Sequence, residues 1–93
     1  MDRRERIEAR LRETLAPLAL EVVDDSARHR GHAGAASGAG HYRVTIVSER
    51  FRGVSKLARH RLVYDALGDV FEREIHALEL ITRAPDESVR TTA

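Results

Sequence analysis

The sequence predicts an α+β fold in which a three-stranded mixed sheet carries helices on one face. Apolar residues recur at helical spacing in some segments and alternate as in strands in others, in the order helix, strand, strand, helix, strand. The first two strands are joined by a loop and should pair antiparallel, whereas the third follows a helical crossover and should lie parallel to a neighbour. A chain of 93 residues fits one domain over residues 1–93.

The first helix is predicted by a capping pattern followed by an apolar stripe. Asp2 and Glu5 resemble a capping box, in which each side chain binds the backbone amide of the other residue. Three residues then recur at helical spacing, namely Ile7, Leu11 and Leu15. We expect a packing helix that carries no chemistry.

Two strands and an intervening loop should follow. The first strand, Leu18–Val23, places three residues on one face: Leu18, Leu20 and Val22. His41–Ser48 shows the clearest strand alternation in the chain. Residues 27–40 between them are rich in glycine and alanine and cannot bury enough apolar surface to order themselves, so we expect a mobile loop there.

The segment Phe51–Leu67 is predicted to be a tight turn that continues into a basic amphipathic helix. Ser55 is the expected N-cap, because its hydroxyl can accept from an amide of the first helical turn. The predicted apolar stripe consists of Leu57, Leu62, Val63, Ala66 and Leu67. Lys56, Arg59 and Arg61 should leave the other faces cationic.

The last part of the chain should form the third strand, Ile75–Arg83. Gly68 and Asp69 precede it, and they either break the helix or lie within it, since a helical glycine costs only ~1 kcal/mol. Strand parity places three residues in line with the core: His76, Leu78 and Leu80. Residues 86–93 are polar and should fray.

Composition and charge exclude several classes of function. The chain has no cysteine, so it has no disulfide, no thiolate nucleophile and no thiolate metal ligand of its own. The net charge is only +1, so any cationic binding site must be a local patch. No nucleophile-elbow or phosphate-cradle motif occurs, and we therefore do not expect an enzyme.

Targeting signals are also missing from the sequence. No apolar run approaches the roughly 20 residues that span a bilayer. The first twelve residues are charged throughout and lack the apolar segment of a signal peptide. We expect a cytoplasmic protein that does not bind membranes.

The histidines suggest metal ligation, because neutral imidazole is the usual nitrogen ligand of transition metals. Five occur in this small chain: His29, His32, His41, His60 and His76. None of them falls in a zinc-finger or HExxH spacing, so the pattern alone selects no metal site.

Three motifs together resemble the BolA family. They are FxGxS from Phe51, RHRLVY from Arg59 and IHAL from Ile75, and the resemblance extends over roughly Leu18 to Pro85. It implies the BolA-like fold, which is related to the second class of KH domains and matches the element order above. His60 of the Arg-His-Arg triplet belongs to this signature, and we expect it to be a packed residue rather than a ligand.

The resemblance implies a role in iron–sulfur chemistry. In the family, the histidine of the IHAL motif, here His76, contributes to a shared [2Fe–2S] cluster, and a loop residue can supply a second ligand. His29 matches that loop position best, with His32 a close competitor. Because the chain lacks cysteine, the remaining ligands must come from the family's partner, a monothiol glutaredoxin with bound glutathione. We therefore expect a monomer that holds no cofactor alone and forms a heterodimer with that partner.

DNA binding is the alternative function. Lys56, Arg59 and Arg61 could lie along the phosphate backbone of duplex DNA, and the family has also been discussed as transcriptional regulators. The same helix, Phe51–Leu67 including its turn, could instead dock an acidic partner protein. Two Phe, two Tyr and no Trp provide poorly for stacking on single-stranded bases.

Overall fold

The structure is a computed structural model that describes residues 2–26 and 40–88. The elements of this part of the chain are α1 (Arg3–Leu15), β1 (Ala19–Asp24), β2 (Gly40–Val47), α2 (Lys56–Leu67), α3 (Asp69–Glu74), β3 (Ile75–Arg83) and α4 (Pro85–Ser88). A 3-10 turn, Glu49–Phe51, follows β2. Most of the predicted mobile loop lies outside the described residues, but Gly40 already belongs to β2.

The three strands form one sheet in the order β1-β2-β3. β1 and β2 are antiparallel, with Ala19 opposite Val47 and Asp24 opposite Tyr42. β2 and β3 are parallel, as the right-handed crossover rule predicts for strands joined through a helix. The predicted three-stranded mixed sheet is confirmed, and so are the bounds of β3.

The core lies between the sheet and the helices. Every second residue of β2 is buried, and Tyr42, Val44 and Ile46 pack in one cluster with helix residues. α1 contributes its predicted stripe, Ile7, Leu11 and Leu15. Phe51 is fully buried at the end of the 3-10 turn. The other face of β2, which includes His41 and Arg43, is half-buried.

α1 is held by a capping box and by an ion pair to α3. The capping box forms as predicted, since Asp2 accepts from the Glu5 amide at 2.8 Å and Glu5 accepts from the Asp2 amide at 2.9 Å. Further along the helix, Arg6 pairs with Glu74, the last residue of α3. This hydrogen bond from Arg6 lowers the pKa of the Glu74 carboxyl.

Gly68 breaks the helix and so settles the alternative that the sequence left open. Its φ of 55° lies in the left-handed region, where an L side chain would be strained, and α3 starts at the next residue. Arg10 of α1 secures this junction, donating to the Leu67 carbonyl at 3.2 Å and to Asp69 at 3.0 Å. The pKa of the Asp69 carboxyl is lowered mainly by that hydrogen bond.

Two predictions about the surface were wrong. Leu18 precedes β1 and is 64% exposed, although its amide still donates to the Val47 carbonyl. Leu57 lies in the first turn of α2 and is 65% exposed, so the apolar stripe of that helix begins one turn later. Residues 86–88 of the predicted frayed tail belong to the helical turn α4. The rest of that tail, residues 89–93, lies outside the described part.

Candidate functional site

His76 lies on a β-bulge at the start of β3. Gly40 pairs with Ile75, whereas the next residue, His41, pairs with Ala77, so β3 has one extra residue here. Ile75 is buried in the core, and both His76 and Ala77 are exposed. The prediction that His76 aligns with Leu78 was therefore wrong, because strand parity changes at the bulge.

The bulge brings two imidazoles together. The ring centroids of His41 and His76 are 5.0 Å apart, with an angle of 54° between the ring planes. His41 is half-buried and its Nε2 is shielded from solvent, whereas His76 is exposed. Only His76 therefore presents an open side chain to a partner.

Charged groups flank the histidine pair on the same side of the sheet. Arg43 lies two residues beyond His41 and pairs with Asp25 at 3.0 Å and with Glu79 at 3.6 Å. A shallow cavity of about 230 Å³ adjoins them, lined by Asp25, His41, Tyr42, Ala77, Leu78 and Glu79. Both signs of charge are present, so the region does not form a basic patch.

Within the described residues, the donor set does not complete a metal site. Among residues 2–26 and 40–88, no three His, Asp or Glu side chains converge on a point where an ion could sit. His76 offers one accessible imidazole, which fits the histidine ligation of one iron in a [2Fe–2S] cluster. The two predicted loop ligands, His29 and His32, lie outside the described residues.

Sequence reasoning missed the contact between His41 and His76. Gly40 was the available signal, because glycine within a strand often marks a bulge or a close approach of the backbone. A Cβ atom at Gly40 would come within 2.4 Å of the Tyr42 ring, so only glycine fits there without rearrangement.

The three predicted cations of α2 do not form one surface. Lys56 and Arg61 are exposed, but Arg59 is only 7% exposed. Its guanidinium donates to the Val54 carbonyl at 2.8 Å and binds Glu87 through two bonds of 2.7 and 3.0 Å. Arg59 therefore ties α2 to α4, and this placement contradicts its predicted role as a phosphate contact.

The Arg59–Glu87 pair also connects to the end of β3. Arg59 donates to the Thr82 carbonyl at 3.4 Å, and Glu87 accepts from the Ala84 amide at 3.0 Å. The hydrogen bond from Arg59 is the main reason that the pKa of Glu87 falls to about 2. His60, the middle residue of the triplet, is half-buried on α2.

No helix in the described part of the chain is long and apolar enough to cross a membrane.

The three-stranded mixed sheet and the helices packed on it define a small α+β domain. The family model for BolA-like proteins matches residues 11–87. The chain belongs to the BolA-like family.

Relatives and solved structures agree with this assignment. The DNA-binding transcriptional regulator BolA of Escherichia coli K12 is 47% identical over 79 residues, covering 85% of this chain and 72% of that protein. SufE-like protein 1 of Arabidopsis thaliana is 41% identical over 88% of this chain, a match that spans only 24% of the longer relative. The structure resembles the BolA domain of Arabidopsis SufE1 with a TM-score of 0.81 and 40% identity, covering 94% of this chain and 96% of that domain.

Proposed function

We propose that this protein is a non-enzymatic adaptor that pairs with a monothiol glutaredoxin and supplies histidine to a bridging [2Fe–2S] cluster. The observation that carries the proposal is His76, an exposed imidazole that a β-bulge directs outward from the sheet. The chain has no cysteine, and the described residues do not converge into a complete metal site. Such a donor set requires a partner that brings thiolates.

Within this proposal His76 is the first ligand, and His29 or His32 is the second. The glutaredoxin and its glutathione supply the thiolates, and a histidine ligand raises the reduction potential of a [2Fe–2S] centre compared with thiolate ligation. In this proposal the protein supplies a positioned nitrogen ligand and catalyses no reaction. A cytoplasmic location remains part of the proposal; relatives named chloroplastic also occur.

The test is a titration of this protein into a cluster-loaded glutaredoxin dimer. The protein alone should stay colourless after iron–sulfide reconstitution, because it cannot complete the ligand set. Added to the loaded dimer, it should change the visible circular dichroism and elute with the glutaredoxin as a heterodimer in size exclusion. An unchanged spectrum without a complex would refute the proposal. A His60→Ala variant is the matched control, since it removes a histidine from α2 and should behave as the wild type.

A second candidate function is direct binding to duplex DNA. It is favoured by relatives named as DNA-binding transcriptional regulators in Escherichia coli and Vibrio cholerae. Lys56 and Arg61 remain available on α2, whereas Arg59 is engaged by Glu87. With two phosphate contacts, the logarithm of the affinity should fall with log salt at a slope near −2.

A salt series on duplex DNA tests this candidate. Lys56→Ala/Arg61→Ala should flatten the salt dependence, whereas Arg4→Ala/Arg12→Ala should keep most of it, because that pair removes exposed cations from α1 instead. Tight binding that survives the first double change would place the DNA site elsewhere. No binding at low salt would leave α2 as a structural or protein-docking element.

A further inference from the structure

The contact between His41 and His76 is the part of the site that the proposed ligand set does not use. The ring centroids are 5.0 Å apart and the planes are tilted by 54°, within the range in which aromatic rings pack favourably. His76 is otherwise an exposed side chain, so this contact is a defined restraint on the orientation of its ring.

His41 is anchored on both sides of its backbone. Its amide donates to the Ser26 hydroxyl at 3.1 Å, and its carbonyl accepts from the Asp25 amide at 2.7 Å. His41 pairs with Ala77 of β3, and this pairing fixes its position along the strand next to the bulge. The backbone that carries the His41 ring is therefore held by Asp25 and Ser26 on one side and by β3 on the other, and the ring can act as a support.

The geometry disfavours ligation through Nε2 of His41. Its Nε2 is shielded from solvent, whereas a nitrogen that binds a cluster carried by another protein must be reachable from outside. A ligand whose ring is already oriented loses less conformational freedom on binding, and the residues that orient ligands affect metal affinity about 10–100-fold.

We infer that His41 is a positioning residue for His76, and that it acts by packing its ring against the ligand ring rather than by donating a nitrogen to metal. The bulge adds His76 to β3 opposite this part of β2. At the neighbouring position, Gly40 has no Cβ atom, which leaves room for the Tyr42 ring. The inference rests on the proposed function, because His76 is the ligand that His41 would orient.

The first test uses the protein alone and does not depend on any cluster. His41→Phe keeps a planar ring and removes both nitrogens, whereas His41→Ala removes the ring. NMR relaxation of the His76 imidazole should report a restrained ring in the wild type and in His41→Phe, and a mobile ring in His41→Ala. A His76 ring that is equally ordered in all three proteins would overturn the inference. Thermal unfolding of each variant checks that the fold is intact.

The second test uses the glutaredoxin complex. Loss of the visible circular dichroism over time should be about 10–100-fold faster for His41→Ala than for the wild type, and His41→Phe should restore the slow rate. If the cluster is as labile with His41→Phe as with His41→Ala, a nitrogen of His41 is required for cluster stability and the positioning assignment is wrong. If the wild type itself forms no complex, the proposed function fails, and the relaxation of the His76 ring in the isolated protein still decides the positioning role.

Discussion

The two ends of β3 place polar groups in opposite environments. At its start, His76 is exposed on a bulge and its ring packs against that of His41. At its end, Thr82 is buried, and its carbonyl accepts from Arg59, which is itself held by Glu87. The first end presents a donor atom to the outside, and the second uses charge to join elements within the fold. Under the proposed function, the start of β3 serves binding and its end serves stability. Substitutions at the two ends should therefore affect different properties.

The largest effect should come from removing the exposed donor. His76→Ala should shorten the lifetime of the shared cluster by more than the 10–100-fold that loss of a supporting residue costs. Its free energy of unfolding should change by less than about 0.5 kcal/mol, because the side chain lies at the surface. Decay of the visible circular dichroism and urea unfolding measure the two quantities.

His29→Ala and His32→Ala are the matched comparisons for that variant. Either change alone should have a milder effect, because the proposal allows either histidine to serve as the second ligand. Equal lability of the cluster in all three variants would show that His76 matters no more to cluster stability than His29 or His32.

The opposite end of β3 should respond in stability. Arg59→Met should lower the free energy of unfolding by about 2 kcal/mol, since it removes the guanidinium that donates to the Val54 and Thr82 carbonyls and to the Glu87 carboxylate. Arg61→Met is the control, because Arg61 is exposed on the same helix and its loss should cost less than about 0.5 kcal/mol. Urea unfolding measures the free energy of unfolding of both variants. Equal losses would mean that the contacts of buried Arg59 do not add to the stability of the fold.

The smallest effect should be a pH dependence at Glu87. Its pKa falls from 4.5 to about 2 in the folded protein, so the stability it contributes is present above pH 4.5 and is lost as the pH falls towards 2. The melting temperatures of wild type and Glu87→Gln should therefore differ above pH 4.5 and converge on acidification. The lowered pKa values of Asp69 and Glu74 affect both proteins alike. A constant difference down to pH 2 would contradict the assignment.

The fold followed from local patterns because each pattern describes one element. The capping box at Asp2, the N-cap at Ser55 and the bounds of β3 depend on a few neighbouring residues, and all three are confirmed. The parallel pairing of β3 followed from the helical crossover. Such features can be predicted because their physical causes lie within a short stretch of sequence.

The details of the site depend on pairs that are distant in sequence. The bulge exists only in the pairing of β2 with β3, so strand parity within Ile75–Arg83 could not predict the exposure of His76. Arginine is rarely buried without a partner, and the partner of Arg59 lies 28 residues further along the chain. A motif that groups Arg59 with Arg61 therefore conceals two different roles, one internal and one at the surface.

Ser48 couples the stability of α1 to that of the sheet. It is fully buried, and its hydroxyl donates at 2.7 Å to the carbonyl of Leu15, which is the last residue of α1. A 13-residue helix is marginal by itself in water, and here its final turn is completed by a residue 33 positions away at the end of β2. The amides in the last turn of α1 should therefore be more protected from exchange while Ser48 and the sheet are in place, which makes the end of this helix a cooperative part of the folded core.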